Sequence, residues 1–108
     1  MQDCACLAGT MTFGDYESTE LGMDDCFADV AIHRCRRCGR NWLHYHLEEE
    51  GISRSGRWYC GLLQPGEKAS AENAAALLGR MTEYFAGGSY YDGKIHKRSG
   101  PPDRKSVV

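Results

Sequence analysis

Apolar and polar residues alternate with a period of two along much of this chain, which is the pattern of strands that bury one face. The clearest case is the run of residues 26–35, in which Val30 and Ile32 fall on the side opposite His33. Further strands are predicted over residues 10–13, 42–50, 57–63 and 89–96. The acidic, glycine-containing residues 14–25 are predicted to form a loop.

The strand predicted over residues 42–50 has two chemically different faces. Its apolar face consists of Leu43, Tyr45 and Leu47. Its other face carries Trp42, His44, His46 and Glu48. Because successive side chains of a strand point to opposite sides of a sheet, these two sets must contact different partners. We expect the rest of the domain to cover the apolar face, and the Trp42 face to meet solvent or a partner.

One segment of the chain follows the helical period instead. Its apolar stripe consists of Ala71, Ala74, Leu77, Leu78, Met81 and Phe85. Ser70 is a suitable N-cap for this helix, and Gly87 with Gly88 ends the pattern. These elements predict an α+β fold, in which one helix packs on one face of a mainly antiparallel sheet of four to five strands.

The length and composition of the chain fit one small globular domain. Its 108 residues are 42% hydrophobic and 26% charged, and they contain no apolar run of membrane-spanning length. We assign residues 1–96 to a single α+β domain. Residues 97–108 are basic and lack apolar periodicity, so the sequence predicts a disordered tail there.

The net charge of −2 is distributed unevenly along the chain. Residues 1–31 contain seven acidic residues and no lysine or arginine, whereas residues 32–60 contain six arginines and three glutamates. We expect these two segments to pack together because their charges are complementary. The net negative charge gives the protein no general attraction to polyanions.

Six cysteines are the most informative feature of the composition. The first residues, Met1 to Cys4, lack the basic start and apolar block of a secretory signal, so we expect a cytoplasmic location. In a reducing compartment, paired cysteines at short spacing hold zinc more often than they form disulfides. A disulfide framework is the alternative interpretation for a secreted protein.

Cys35 and Cys38 are spaced so that both sulfurs can bind one ion, and Gly39 lets the chain leave this tight turn with a positive φ. We call this turn the knuckle. Zinc is held by four ligands in a tetrahedron, usually from two chain segments that each supply a pair. The best second pair is at the N-terminus. The sequence therefore predicts structural Zn²⁺ bound by Cys4, Cys6, Cys35 and Cys38.

Through the Cys35-Arg36-Arg37-Cys38-Gly39 turn and the strand that begins at Trp42, the chain resembles zinc-ribbon and zinc-knuckle domains. The resemblance covers about ten residues and implies structural Zn²⁺ without implying an activity. The N-terminal pair is Cys-x-Cys rather than Cys-x-x-Cys, which leaves His33 or Cys26 as an alternative to one N-terminal thiol. Cys26 and Cys60 otherwise fit buried free thiols within strands.

Three other chemistries fit parts of the same region. Arginines between the knuckle thiols would suit a redox-active dithiol, although that motif usually precedes a helix rather than joining two strands. His44 and His46, with Glu48 next on the same face, are spaced for a metal-dependent hydrolase. The four arginines within residues 34–40, near Trp42, would suit a nucleic-acid-binding protein.

These patterns favour a small, non-enzymatic, zinc-binding protein-interaction module. Adaptors and inhibitors, including toxin-neutralising inhibitors, have this size and composition, although that comparison is a fold-level analogy. The sheet face that carries Trp42, together with the acidic residues 15–29, would contact the partner protein. A basic partner is favoured because its charge would complement the acidic segment.

Overall fold

A computed structural model describes residues 4–8, 13–49 and 51–104 of the chain. It contains an antiparallel six-stranded sheet whose strands lie side by side in sequence order. The strands are β1 (Tyr16–Met23), β2 (Asp29–Cys35), β3 (Asn41–Leu47), β4 (Arg57–Leu62), β5 (Tyr84–Gly87) and β6 (His96–Arg98). Helix α1 (Ala74–Arg80) lies between β4 and β5 in sequence. The predicted α+β class is confirmed, but the predicted number of strands was too low.

The main core lies between α1 and one face of the sheet. Val30, Tyr45, Tyr59 and Ala86 are paired in register across four strands and are completely buried. Ala74 and Leu78 of α1 pack against this row, and both are also completely buried. The alternation in the sequence identified this face because aliphatic and aromatic side chains at every second position form one continuous apolar surface.

A second, smaller core lies on the opposite face of the sheet, near the knuckle. Residues 4–8 cross this face, and Cys6 and Leu7 pack against Trp42, Leu62 and Phe85. Trp42 is only 4% exposed. The expectation that the Trp42 side of β3 would meet solvent or a partner was therefore wrong at this position, because the N-terminal segment covers it.

Residues 14–25, which were predicted to form a loop, largely form the edge strand β1. Most of its side chains are exposed on both faces, so the strand lacks the apolar alternation that identifies a half-buried strand. Its backbone pairs with β2 and supplies the stability that its side chains do not. The register shifts between Glu20 and Gly22, where Gly22 adopts a φ of +105°. Residues 10–12 of the predicted first strand lie outside the described residues.

The helix is shorter than its apolar stripe predicted. Its N-cap is Asn73, whose side chain accepts a hydrogen bond from the backbone N–H of Ser70 at 2.7 Å. The Ser70 hydroxyl in turn accepts one from the Asn73 N–H at 3.2 Å, so a separate turn precedes α1. Phe85, the last residue of the predicted stripe, lies in β5. Residues 84–87 extend the sheet at the β4 edge, where strand pairing overrides the helical pattern.

The strand predicted over residues 89–96 is also wrong for most of its length. Ser89–Tyr91 form a 3₁₀ turn, and the strand begins only at His96. At Gly88 a side chain would clash, because its Cβ would lie 2.5 Å from the Gly56 carbonyl oxygen. This close crossing, together with a φ of +107° at Gly88, turns the chain out of the strand geometry.

The segment predicted as a tail from residue 97 starts within β6 instead. After this strand, the Tyr84 hydroxyl donates a hydrogen bond to the Gly100 carbonyl at 2.5 Å. The completely buried Arg57 donates one to the Asp103 carbonyl at 2.9 Å. These buried donors hold the polar backbone of residues 99–104 against the sheet, a contact that apolar periodicity does not encode. Residues 105–108 lie outside the described residues.

No helix in the described part of the chain is long and apolar enough to cross a membrane.

Replacing Gly61 with valine tests the packing of α1 on β4. A Cβ at Gly61 would clash with Met81 Sδ and would lie 2.9 Å from Leu78 Cδ2, so these two side chains must move to admit it. We expect Gly61→Val to lower the free energy of unfolding by about 1–3 kcal/mol. Urea denaturation of the purified variant measures this change.

Gly14→Val is the matched control, because no heavy atom of the described residues lies within 4 Å of a Cβ placed there. We expect it to change the free energy of unfolding by less than about 0.5 kcal/mol. Equal unfolding midpoints for the two variants would contradict the packing of α1 over Gly61.

Candidate metal centre

Four cysteine sulfurs converge at the end of the sheet where β2 turns into β3. The Sγ atoms of Cys4, Cys6, Cys35 and Cys38 all lie within 4.8 Å of one another. The Cys4–Cys35 and Cys6–Cys38 sulfur pairs are each 3.6 Å apart. A zinc–sulfur bond of about 2.3 Å gives a tetrahedron with edges of about 3.8 Å. The four-cysteine cluster therefore has the dimensions of a tetrathiolate metal site.

The knuckle places its two sulfurs through backbone hydrogen bonds. The Cys35 N–H donates to the Arg40 carbonyl at 2.8 Å, and the Gly39 N–H donates to the Cys35 carbonyl at 2.9 Å. Gly39 adopts a φ of +78°, which a residue with a side chain rarely adopts. These bonds close the turn so that Cys35 at the end of β2 and Cys38 within the turn lie on the same side.

The N-terminal pair is held by a 3₁₀ turn at Ala5–Ala8. The Leu7 N–H donates to the Cys4 carbonyl at 3.0 Å, and this bond curls the segment so that both N-terminal sulfurs lie over the knuckle. The partly buried Leu7 anchors the segment by packing in the second core. The Cys-x-Cys spacing is therefore compatible with a joint site, although it differs from the knuckle spacing.

The four thiols have unequal electrostatic environments. Desolvation raises the pKa of Cys38, but hydrogen bonds from the Arg40 backbone and side chain outweigh it and lower this pKa to about 6. Burial raises the pKa of Cys6 to about 12. Metal ligation requires thiolates. A bound cation would therefore stabilise the thiolate form of Cys6, which burial otherwise disfavours.

An orphaned donor beside Cys6 fits a metal-bound thiolate. Nε1 of Trp42 is buried and has no hydrogen-bond partner in the part of the chain that the structure describes. The Trp42 indole nevertheless lies close enough to Cys6 to lower that thiol's pKa, against the larger and opposite effect of burial. A thiolate is a much stronger acceptor than a thiol, so ionisation of Cys6 would satisfy this N–H. Sequence reasoning missed this role, although Trp42 lies four residues after the knuckle's second thiol.

Neither alternative ligand joins the four-cysteine cluster. Cys26 lies in the turn between β1 and β2, and His33 stacks on His44 farther along the sheet face. Cys60 of β4 packs against the second core, and burial raises its pKa to about 12, with a smaller contribution from Cys6. Cys60 is therefore a neutral thiol at the margin of the cluster.

The arginines around the knuckle have partners within the domain. Arg36 lies 3.6 Å from Glu17, and both side chains are largely exposed. Arg37, also exposed, lies 3.8 Å from the half-buried Asp15. Arg40 donates to Cys38. Exposed pairs of this kind contribute less than about 1 kcal/mol each, so their main effect is to neutralise the patch. The acidic segment thus offsets the charge of two arginines at the knuckle.

The histidines of β3 do not form a metal site with the neighbouring imidazole. His44 and His33 stack with ring centroids 4.4 Å apart and planes inclined by 15°. A metal ion bound to an imidazole nitrogen lies in the ring plane, and two stacked planes cannot share one ion. Burial also lowers the pKa of His44 to about 3, with smaller contributions from His33 and His46. Among the described residues, the four cysteines are the group of three or more His, Cys, Asp or Glu within ligand distance.

Comparisons of the chain with protein-family profiles, curated protein sequences and solved structures found no significant match. The resemblance to zinc-ribbon and zinc-knuckle domains therefore depends on the knuckle residues alone. The four-sulfur geometry, rather than descent from a known protein, identifies this end of the sheet as the candidate site.

Replacing Trp42 with phenylalanine tests whether its indole N–H stabilises a thiolate at Cys6. The ring volume is largely kept while the N–H is lost, so a thiolate at Cys6 loses one stabilising hydrogen bond. We expect the affinity of the protein for Co²⁺ to fall about ten-fold. This is the lower end of the range found when a residue that hydrogen-bonds to a metal ligand is replaced. Competition with a chromophoric chelator measures this affinity.

Trp58→Phe is the matched control, because Trp58 lies on the same sheet face but packs beside His44 and over Gly87. Its Co²⁺ affinity should equal that of the unmodified protein. If both tryptophan variants lose affinity equally, the effect is a general loss of packing and not a hydrogen bond to Cys6.

Proposed function

We propose that this protein binds one structural Zn²⁺ through Cys4, Cys6, Cys35 and Cys38 and acts as a non-enzymatic protein-interaction module. The observation that carries the first part is the mutual approach of four sulfurs to within 4.8 Å. Zinc is favoured because four thiolates in a tetrahedron match its ligand and geometric preferences. The knuckle spacing and the unpaired Trp42 N–H beside Cys6 support the same assignment.

A tetrathiolate site is structural rather than catalytic. Catalytic zinc keeps an open position for water or substrate, whereas four cysteines fill the coordination sphere. Here the metal would join the N-terminal segment to the β2–β3 turn, about thirty residues away in sequence. Such a link reduces the number of conformations open to the unfolded chain. It would therefore stabilise a domain whose second core is small.

The interaction part of the proposal is supported by the charge of the edge strand. β1 lies at the edge of the sheet, and Glu20 of β1 and Asp29 of β2 belong to none of the ion pairs of the described residues. Edge strands offer unpaired backbone groups, and acidic side chains select basic partners. We therefore favour an adaptor or inhibitor that engages a basic protein, a class that includes toxin-neutralising inhibitors.

Cobalt substitution tests the metal centre directly. We expect one Co²⁺ per chain, with strong thiolate-to-metal charge-transfer bands and visible bands typical of tetrahedral sulfur coordination. Cys38→Ser should weaken the charge-transfer intensity by about one quarter or abolish metal binding, because it removes one of four thiolates. Absorption spectra recorded during a metal titration show which occurs.

Cys26→Ser is the control for this experiment, since it removes a thiol that lies outside the four-cysteine cluster. It should leave both stoichiometry and spectrum unchanged. An absence of charge-transfer bands in the unmodified, reduced protein would contradict the zinc assignment. So would a spectrum altered by Cys26→Ser and unaffected by Cys38→Ser.

A further inference from the structure

The sheet face beyond the second core contains a polar pocket that the metal centre does not use. Its volume is about 310 Å³. We call it the histidine pocket, and it is lined by Ser18, Glu20, Asp29, Ala31, His33, His44 and His46. All of these residues belong to β1, β2 or β3. The pocket opens near the sheet edge that β1 forms, so a partner can reach it.

A small residue creates the floor of the histidine pocket. Ala31 is paired with Glu20 on one side and with His44 on the other. Paired residues of antiparallel strands point to the same face of a sheet, so two long polar side chains flank one methyl group. Asp29 lies two positions before Ala31 and His33 two positions after it, so both are on the same face of the strand. The pocket therefore exists because Ala31 has a small side chain between longer ones.

The histidine pocket is negatively charged and rich in acceptors. It contains two carboxylates, and no lysine or arginine lines it. The ion pairs of the described residues involve neither Glu20 nor Asp29. Burial keeps the pKa of His44 at about 3, with smaller contributions from His33 and His46. At neutral pH the His44 imidazole is uncharged and has one acceptor nitrogen.

A metal ion is a poor occupant for this pocket. The stacked planes of His33 and His44 cannot meet at one ion, and the pocket's donor atoms do not form a ligand group within metal-binding distance. An organic cation that donates several hydrogen bonds can bind the same acceptors, because these need not all point at one centre. A guanidinium group has five N–H donors in a planar fork, whereas an ammonium group has three donors at one point.

We propose that the histidine pocket binds the guanidinium group of an arginine side chain presented by a partner protein. The two carboxylates would neutralise its charge, and the uncharged His44 imidazole and the Ser18 hydroxyl would accept further hydrogen bonds from it. This inference rests on the proposed interaction function and specifies its partner, since it assigns the basic group that the acidic edge of the sheet selects. It does not depend on the identity of the bound metal.

The test is an NMR titration of the metal-loaded full chain with two capped tripeptides, acetyl-Gly-Arg-Gly-amide and acetyl-Gly-Lys-Gly-amide. The arginine peptide should shift the backbone amide signals of Glu20, Ala31 and His44 with a Kd on the order of millimolar, as expected for one isolated side chain. The lysine peptide should bind about five-fold or more weakly, because it cannot satisfy as many acceptors. Equal binding of both peptides, or no shift at these amides, would overturn the proposal.

Matched variants locate the binding. Glu20→Gln and Asp29→Asn remove one pocket charge each, and either should weaken the arginine peptide about ten-fold. Glu17→Gln makes the same change in the same strand, but Glu17 pairs with Arg34 in register and points to the opposite sheet face. That variant should bind as the unmodified chain does. A loss of binding equal to that of Glu20→Gln would show non-specific attraction to acidic residues and overturn the assignment.

Two further readouts separate this inference from the metal centre. Titration with Ni²⁺ should leave the pocket amides unshifted at stoichiometric concentrations, and a saturating shift there would replace the arginine assignment with a metal site. The Co²⁺ spectrum of each variant shows whether the four-cysteine cluster is intact. An intact spectrum without arginine binding contradicts the pocket alone, whereas arginine binding by a protein without charge-transfer bands contradicts the zinc centre alone.

Discussion

The convergence of four thiols on one point is the constraint on which the rest of this structure depends. Their sulfurs approach to 3.6 Å in two pairs, and the chain segments that carry them also meet in the small second core. Four ionised thiolates at such distances would repel one another strongly without a cation between them. A divalent metal bound there would remove that repulsion and would cross-link the N-terminal segment to the β2–β3 turn.

This constraint also explains how the two faces of the sheet differ. On the α1 face, apolar burial by itself holds the helix to the strands. On the other face, the only described cover is the short N-terminal segment, which buries Trp42 beside Cys6. Beyond the reach of that segment, the same face is left open and polar around Ala31. The packing of the N-terminal segment thus sets where the covered part of this face ends.

The sequence predicted best the parts of the fold that carry strong local signals. Alternation identified β2, β3 and β4 to within a few residues, and the Cys35–Gly39 spacing identified the turn between the first two of these strands. The four cysteines were predicted to meet because zinc needs four ligands, and the structure brings them together. The edge strand β1 was missed because both of its faces are largely exposed, so it has no apolar period. Phe85 was misplaced because β4 offered residues 84–87 a strand partner that a helical period cannot reveal.

Zinc K-edge X-ray absorption of the purified protein is the most direct test of the central claim. The account predicts one zinc per chain whose first coordination shell consists of four sulfurs at about 2.3 Å, with no nitrogen or oxygen ligand. A mixed shell would assign a different ligand set. A protein that contains no zinc, and in which mass spectrometry finds Cys35 and Cys38 joined by a disulfide, would contradict the account.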